Sequence, residues 1–307
     1  MKLGRAGRSS DIQDRRAGGF PGGTGGMIGG GAGIIGVLVV LATQCLGGGG
    51  GGSLLGGNAF DAFNQLDPGG EQTLDPGADA GGQLACGTTA SAQDIVCAAT
   101  TDVQDFWTTQ FQEAGQEYTR TQTVFFRGQT NTGGCGPASS QVGPFYCPAD
   151  SLVYIDLDFL DALQDQLGAE GDFAKAYIIA HEYGNHVQNV LGISGEVRQA
   201  EQSDPSRANE FSIRLELQAD CLAGNWARDA EDRGVFILTD ADIDNALNAA
   251  GAVGDDRIQA GAGGGVNPET WTHGSAEDRQ NWFRRGLETG NPDDCNTFTE
   301  DAPIESV

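Results

Sequence analysis

Downstream of residue 86 the apolar positions recur with two periods. Helical spacing follows Ser91-Ala-Gln-Asp94, a capping-box pattern, and runs through Val96, Ala99, Val103 and Phe106/Trp107. Phe173, Ala176, Tyr177, Ala180, Val187 and Leu191 predict a helix from about Gly171 to Leu191. Phe211, Leu215, Leu222 and Trp226 predict another from about Pro205 to Ala230. Two more are expected, one from the Thr239-Asp240 cap through Ile243, Ala246, Leu247 and Ala250. The other runs from Ser275-Ala-Glu-Asp278 through Trp282, Phe283 and Leu287 to Gly290. Alternating β-branched and aromatic residues mark strands at Thr121–Arg127 and Val153–Asp158, with Gly134-Cys-Gly-Pro and Gly143-Pro-Phe-Tyr-Cys-Pro148 punctuating a loop between them. The pattern predicts one α+β domain over residues 86–299, mostly helical with a small β-sheet, then a short tail at 300–307.

The N-terminal part is different in kind. Residues 17–60 carry no charge, and 19 of the 49 glycines fall in residues 17–58. Within them Met27–Leu46 is about long enough to cross a bilayer once. Residues 1–16 form a basic head of net charge +3, against −29 from Asp61 onward. This charge pattern predicts a single-pass protein of the cell membrane, its N-terminus cytoplasmic, its span a transmembrane helix at about 27–46, and its acidic domain extracytoplasmic. Alternatives stay open. The strongly apolar core, Ile34–Ala42, suits a signal peptide cleaved after Val40-Leu-Ala42. Cys45 suggests a lipoprotein, although Gln44 stands where such sites want a small residue, and Arg15-Arg16 precede glycine-rich sequence rather than the apolar run of twin-arginine signals. Residues 61–85, rich in Gly, Asp, Gln and Pro, read as a flexible linker.

With 17 basic and 43 acidic side chains the net charge is −26, which excludes nucleic acid as a partner. Six cysteines lie in the body: Cys86, Cys97, Cys135, Cys147, Cys221 and Cys295. An even number fits three disulfides outside the cytoplasm, among fifteen possible connectivities. Short loops favour Cys86–Cys97 and Cys135–Cys147, which leaves Cys221 with Cys295; buried free thiols are the bland alternative.

Chemistry concentrates in His181-Glu-Tyr-Gly-Asn-His186, most of a His-Glu-x-x-His zinc signature on a predicted helix. Residues i and i+4 lie about 40° apart around a helix, so two such imidazoles meet one metal while the intervening Glu serves as general base. Here position i+4 is Asn185, and His186 lies about 140° round from His181. Downstream, Glu216-Leu-Gln-Ala-Asp220 sets two carboxylates on one helical face among Leu215, Leu217, Ala219 and Leu222. A solvated acidic stripe is the bland reading. The apolar neighbours favour a metal-binding Glu216 with Asp220 behind it supporting a ligand imidazole.

These motifs resemble a known family. Cys135-Gly-x-Ala-Ser-Ser-x-x-Gly-Pro-Phe-Tyr-Cys147-Pro, Val153-Tyr-Ile-Asp-Leu, Ala180-His-Glu-Tyr-Gly-x-His-Val-Gln188, Leu215-Glu-Leu-Gln-Ala-Asp-Cys221 and Thr272-His-Gly-Ser275 are similar to the neutral zinc metallopeptidases of bacteria. The resemblance implies a zincin-like metallopeptidase domain behind a single span, hydrolysing peptide or protein substrates with zinc as cofactor. It implies His181 and Glu216 as zinc ligands, Glu182 as general base and Asp220 as ligand support. The chain departs at Asn185, where the family has His. His273 reads either as a cap or core histidine, or as a side chain that stabilises the oxyanion of a tetrahedral intermediate. Asp240-Ala-Asp-Ile-Asp244 lacks the Gly and terminal Glu of a calcium loop. Two functions follow: an extracytoplasmic zinc peptidase whose metal is held by His181, Glu216 and the Asn185 amide oxygen, or an inactive relative that binds peptides or a cell-envelope partner.

Overall fold

The computed structural model describes residues 2–3, 7–16, 84–87, 89, 91–161, 171–261, 266–299 and 301–305. The expected span at 27–46 and most of the linker at 61–85 lie outside them, and no helix among the described residues is long and apolar enough to cross a membrane. The strands are β1 (Lys2–Leu3), β2 (Gly7–Ser9), β3 (Ile12–Asp14), β4 (Leu84–Cys86), β5 (Thr123–Phe126), β6 (Gln129–Asn131), β7 (Pro137–Ser139), β8 (Phe145–Cys147), β9 (Leu152–Asp156) and β10 (Phe236–Ile237). The helices are α1 (Ala92–Glu113), α2 (Asp172–Val190), α3 (Ile193–Ser203), α4 (Ala208–Asp232), α5 (Asp240–Ala252), α6 (Asp255–Gly261) and α7 (Ala276–Thr289). The α+β class and the predominance of helix agree with the sequence pattern.

The main sheet has the order β3-β5-β9-β8, with β3, β5 and β9 parallel and β8 antiparallel at the edge. Its pleat sends Phe125, Val153 and Ile155 into the main core with α1, α2 and α4, and Val124, Phe126, Tyr154 and Cys147 into a smaller cluster on the other face. Both faces of β5 are buried, in keeping with the unbroken apolar run Val124–Phe126.

Three expectations need correction. The basic head is not a separate unit: β1 pairs with β10, β2 with β4 and β3 with β5, so residues 2–3, 7–9 and 12–14 pair with strands elsewhere in the chain. Residues 128–148 are not simply loop; they hold the β6–β7 hairpin and edge strand β8. The capping box at Ser91 is half made, because Ser91 accepts the Asp94 N–H while the Asp94 carboxylate turns to the backbone N–H of Gly87 and Thr89. The three disulfides Cys86–Cys97, Cys135–Cys147 and Cys221–Cys295 match the pairing favoured by loop length.

α4 is the central helix and α7 lies directly on it. A Cβ on Gly286 would fall 1.9 Å from the Cys221 carbonyl oxygen, and one on Gly224 would fall 2.2 Å from that of Phe283. Only glycine at both positions lets the two backbones touch. Gly286→Ala is therefore expected to push α7 outward and lower stability by about 3 kcal/mol through overpacking against rigid backbone. The urea midpoint of the purified variant checks this, and a midpoint equal to wild type contradicts the close crossing.

Candidate active site

α2 and α4 also meet through glycine: a Cβ on Gly184 would lie 3.1 Å from the Ala219 backbone. Ala219 stands between Glu216 and Asp220, and His181 is one turn before Gly184, so this contact brings the three polar side chains together. His181 Nδ1 lies 2.8 Å from Asp220 Oδ1, and Nε2 lies 3.1 Å from Glu216 Oε2. Asp220 fixes the Nδ1 proton and aims Nε2 at Glu216. Burial opposes a charged imidazole at 181, but Asp220 and then Glu216 outweigh it and raise its pKa well above the usual histidine value. Burial likewise pushes Glu216 up; His181 outweighs this, with His273 and Arg279 adding, and holds the carboxylate well below its usual range.

Asp220 is fully buried and saturated with donors. The Tyr177 hydroxyl reaches Oδ1 at 2.5 Å, Arg279 Nη2 reaches the same oxygen at 3.0 Å, and Arg279 Nε reaches Oδ2 at 2.9 Å. Arg279 Nη1 stands 4.0 Å from Glu216 Oε2. The sequence pattern missed Arg279, whose signal was a charge three and four residues before Trp282 and Phe283 on the buried face of α7. It counted Tyr177 only as an apolar ring.

Glu182 is buried beside the pair. Burial raises its pKa to about 7, the Glu216 charge reinforces the rise and His181 opposes it, while Asn185 and the Tyr146 backbone N–H donate weakly to the carboxylate. Asn185 Nδ2 reaches Glu182 Oε2 at 3.4 Å. His186 faces elsewhere, as its place at i+5 requires: its Nδ1 is 3.1 Å from the Tyr146 hydroxyl and its Nε2 is 2.7 Å from the Thr119 carbonyl. Burial lowers its pKa, so it is a neutral structural histidine.

His273 comes from the turn before α7 and is held by Asp255, a residue the sequence pattern did not single out. Asp255 Oδ2 accepts the backbone N–H of Thr272 (2.7 Å), His273 (2.6 Å) and Gly274 (3.1 Å), and Oδ1 is 3.3 Å from His273 Nδ1. The cap of α7 is Ser275, not His273. The imidazole is 44% exposed and its charge acts on Glu216, which sets it on the open side of the same site. A cavity of about 790 Å³, lined by Trp107, Phe111, Leu191, Val197 and Phe211 among others, lies apart from these residues.

One imidazole nitrogen and one carboxylate oxygen, already converging on a shared positive charge, suit zinc at two positions. At the position where the family's third ligand is expected stands Asn185, whose Nδ2 turns toward Glu182 and whose amide oxygen is a weaker donor than imidazole. No group of three or more His, Cys, Asp or Glu is placed to hold a metal ion among the described residues.

A helix-borne His-Glu pair beside a downstream Glu, with a carboxylate behind the histidine, is the arrangement expected of a metallopeptidase-type site in an α+β fold. The chain belongs to the family described as "Putative neutral zinc metallopeptidase", whose model matches residues 1–298. It is 50% identical over 204 residues to "Uncharacterized protein YpfJ" of Escherichia coli K12, covering 66% of this chain and 69% of that protein. It is 53% identical over 191 residues to "Uncharacterized protein Rv2575" of Mycobacterium tuberculosis H37Rv, covering 59% of this chain and 64% of that one. No solved structure matches it.

The Glu182 environment has a measurable consequence in chelator-treated protein. A carboxyl whose folded pKa of about 7 exceeds its ordinary 4.5 favours folding below pH 4.5 and loses that contribution as the pH rises toward 7. Against Glu182→Gln, wild type should therefore weaken by roughly 3 kcal/mol between pH 4.5 and 7.5. Urea unfolding of both proteins across that range provides the measurement; parallel curves would place Glu182 in water.

Proposed function

We propose that the chain is a zinc-dependent peptidase of the extracytoplasmic space, weakened at one metal ligand. The observation that supports it best is the clamp on His181, with Asp220 on Nδ1 and Glu216 opposite Nε2. His181, Glu216 and the Asn185 amide oxygen would hold the metal. Zinc, when bound, supplies a Lewis acid for the water and the scissile carbonyl. Glu182, buried beside His181, takes the proton of the attacking water on its carboxylate and returns it to the leaving amine. His273, oriented by Asp255, offers its free Nε2–H to the oxyanion that develops on the carbonyl oxygen. Asp220 with Arg279 and Tyr177 keeps His181 in one orientation and takes no proton itself.

Peptides or proteins are the substrate class we infer. Three disulfides support an oxidising location for the body. The apolar segment at 27–46 is the feature that would keep the protein at the membrane. A second reading rests on Asn185: an inactive relative whose cleft binds peptides or a cell-envelope partner without cutting them.

Zinc titration and a casein assay on wild type, Asn185→His and Asn185→His/Glu182→Gln separate the two. Asn185→His should tighten zinc by an order of magnitude or more, because imidazole replaces an amide oxygen, and should raise activity. Adding Glu182→Gln should abolish activity and keep the metal. Unchanged zinc affinity in Asn185→His would sink the metal site; tight zinc without activity would favour the binding module.

A further inference from the structure

We propose that residues 9–16, with strand β3 at their centre, are a permanent part of the catalytic body, and that both flanks of the apolar segment therefore lie on the same side of the membrane. The segment is held as core sheet is held. β3 runs parallel to β5 in the register Ile12↔Thr123, Gln13↔Val124, Asp14↔Phe125. The Thr123 N–H donates to the Asp11 carbonyl at 2.7 Å, and the Arg15 N–H to the Phe125 carbonyl at 2.9 Å. Ile12 is 6% exposed and belongs to the main core. Side chains fasten the rest: Arg120 to Asp11 at 2.6 Å, Gln122 to the Ser10 carbonyl at 2.9 Å, Thr101 to Ser9 at 3.0 Å and Arg16 to Gln93 at 3.0 Å. β5 is what receives this strand, and the Thr123 hydroxyl on β5 lies 3.0 Å from the Tyr183 hydroxyl of α2, next to Glu182.

A strand on one face of a bilayer does not hydrogen-bond to a sheet on the other. The pairing and a single crossing between residues 16 and 84 exclude each other. A strand donated by a second copy with the same topology meets the same barrier. The charge pattern that suggested a single crossing has another explanation in the fold. Arg15 lies over the Tyr154 ring at 5.9 Å, and Arg16 lies over Phe125 at 5.3 Å while pairing with Asp14. Two of the five bases in the head are thus built into the surface of the acidic body. Residues 16 and 84, the described ends on either side of the apolar segment, then lie on one face of any membrane.

The test uses the full chain in bacterial cells, with one epitope ahead of Met1 and another after Val307, and protease added to spheroplasts. Loss of both epitopes, or survival of both until lysis, supports the proposal; survival of both would at the same time refute the extracytoplasmic location. Survival of one epitope with loss of the other overturns it, as does a mature body separated from its N-terminal epitope. Independently, Ile12→Asp in the purified full chain should lower the melting midpoint by about 5 °C or more, as for a charge placed in a core. An unchanged midpoint overturns the docking.

Discussion

Asp220 is a carboxylate with no exposed surface, and an ion in that position is tolerated only with donors on every side. Four hydrogen bonds meet it, from Tyr177 and His181 on α2 and twice from Arg279 on α7, while Asp220 itself sits on α4. The three helices that make the site are therefore joined by one charge cluster. Breaking one contact leaves the others facing an uncompensated ion, which costs several kcal/mol. The close approaches at Gly184 and Gly286 are what make the cluster possible, because side chains as short as Asp reach across helices only when the backbones nearly touch. The orientation of His181 thus comes from the packing of the fold and does not wait for a metal.

This explains which parts of the site were legible in the sequence. Positions 181, 182, 216 and 220 lie within two helices of regular period, so their relative angles follow from 3.6 residues per turn. The same arithmetic separated His186 from His181. Arg279 escaped because a lone arginine in a helix reads as surface, and only the presence of Asp220 opposite makes its burial tolerable. Asp255 escaped because its partners are backbone N–H groups across a turn, which leave no trace in side-chain pattern. Strands β6, β7 and β8 are three residues each, too short for alternation to register, and their glycines and prolines signal loop. The head's place in the sheet escaped for a different reason. Its charges are real, but charge counting assigns sides of a membrane without asking whether the segment has a place in the sheet.

Much of the metal-site scaffold has a sufficient structural cause. Asp220, Tyr177, Arg279 and one face of His181 satisfy one another in the core, so their presence follows from stability alone, with or without zinc. Asn185 fits the same helix without disturbing any of them. Glu182 is the exception. It is buried at 8% exposure, its pKa is driven up by that burial and by Glu216, and the side-chain contact it receives from Asn185 is a long one at 3.4 Å. A glutamine there would lose nothing the fold uses and would spare the desolvation of a carboxylate. In the proposed peptidase this carboxylate, costly to bury beside the His181–Glu216 pair, has a use as the proton acceptor. Beside the His181 clamp, Glu182 is thus the residue whose burial the packing alone explains least.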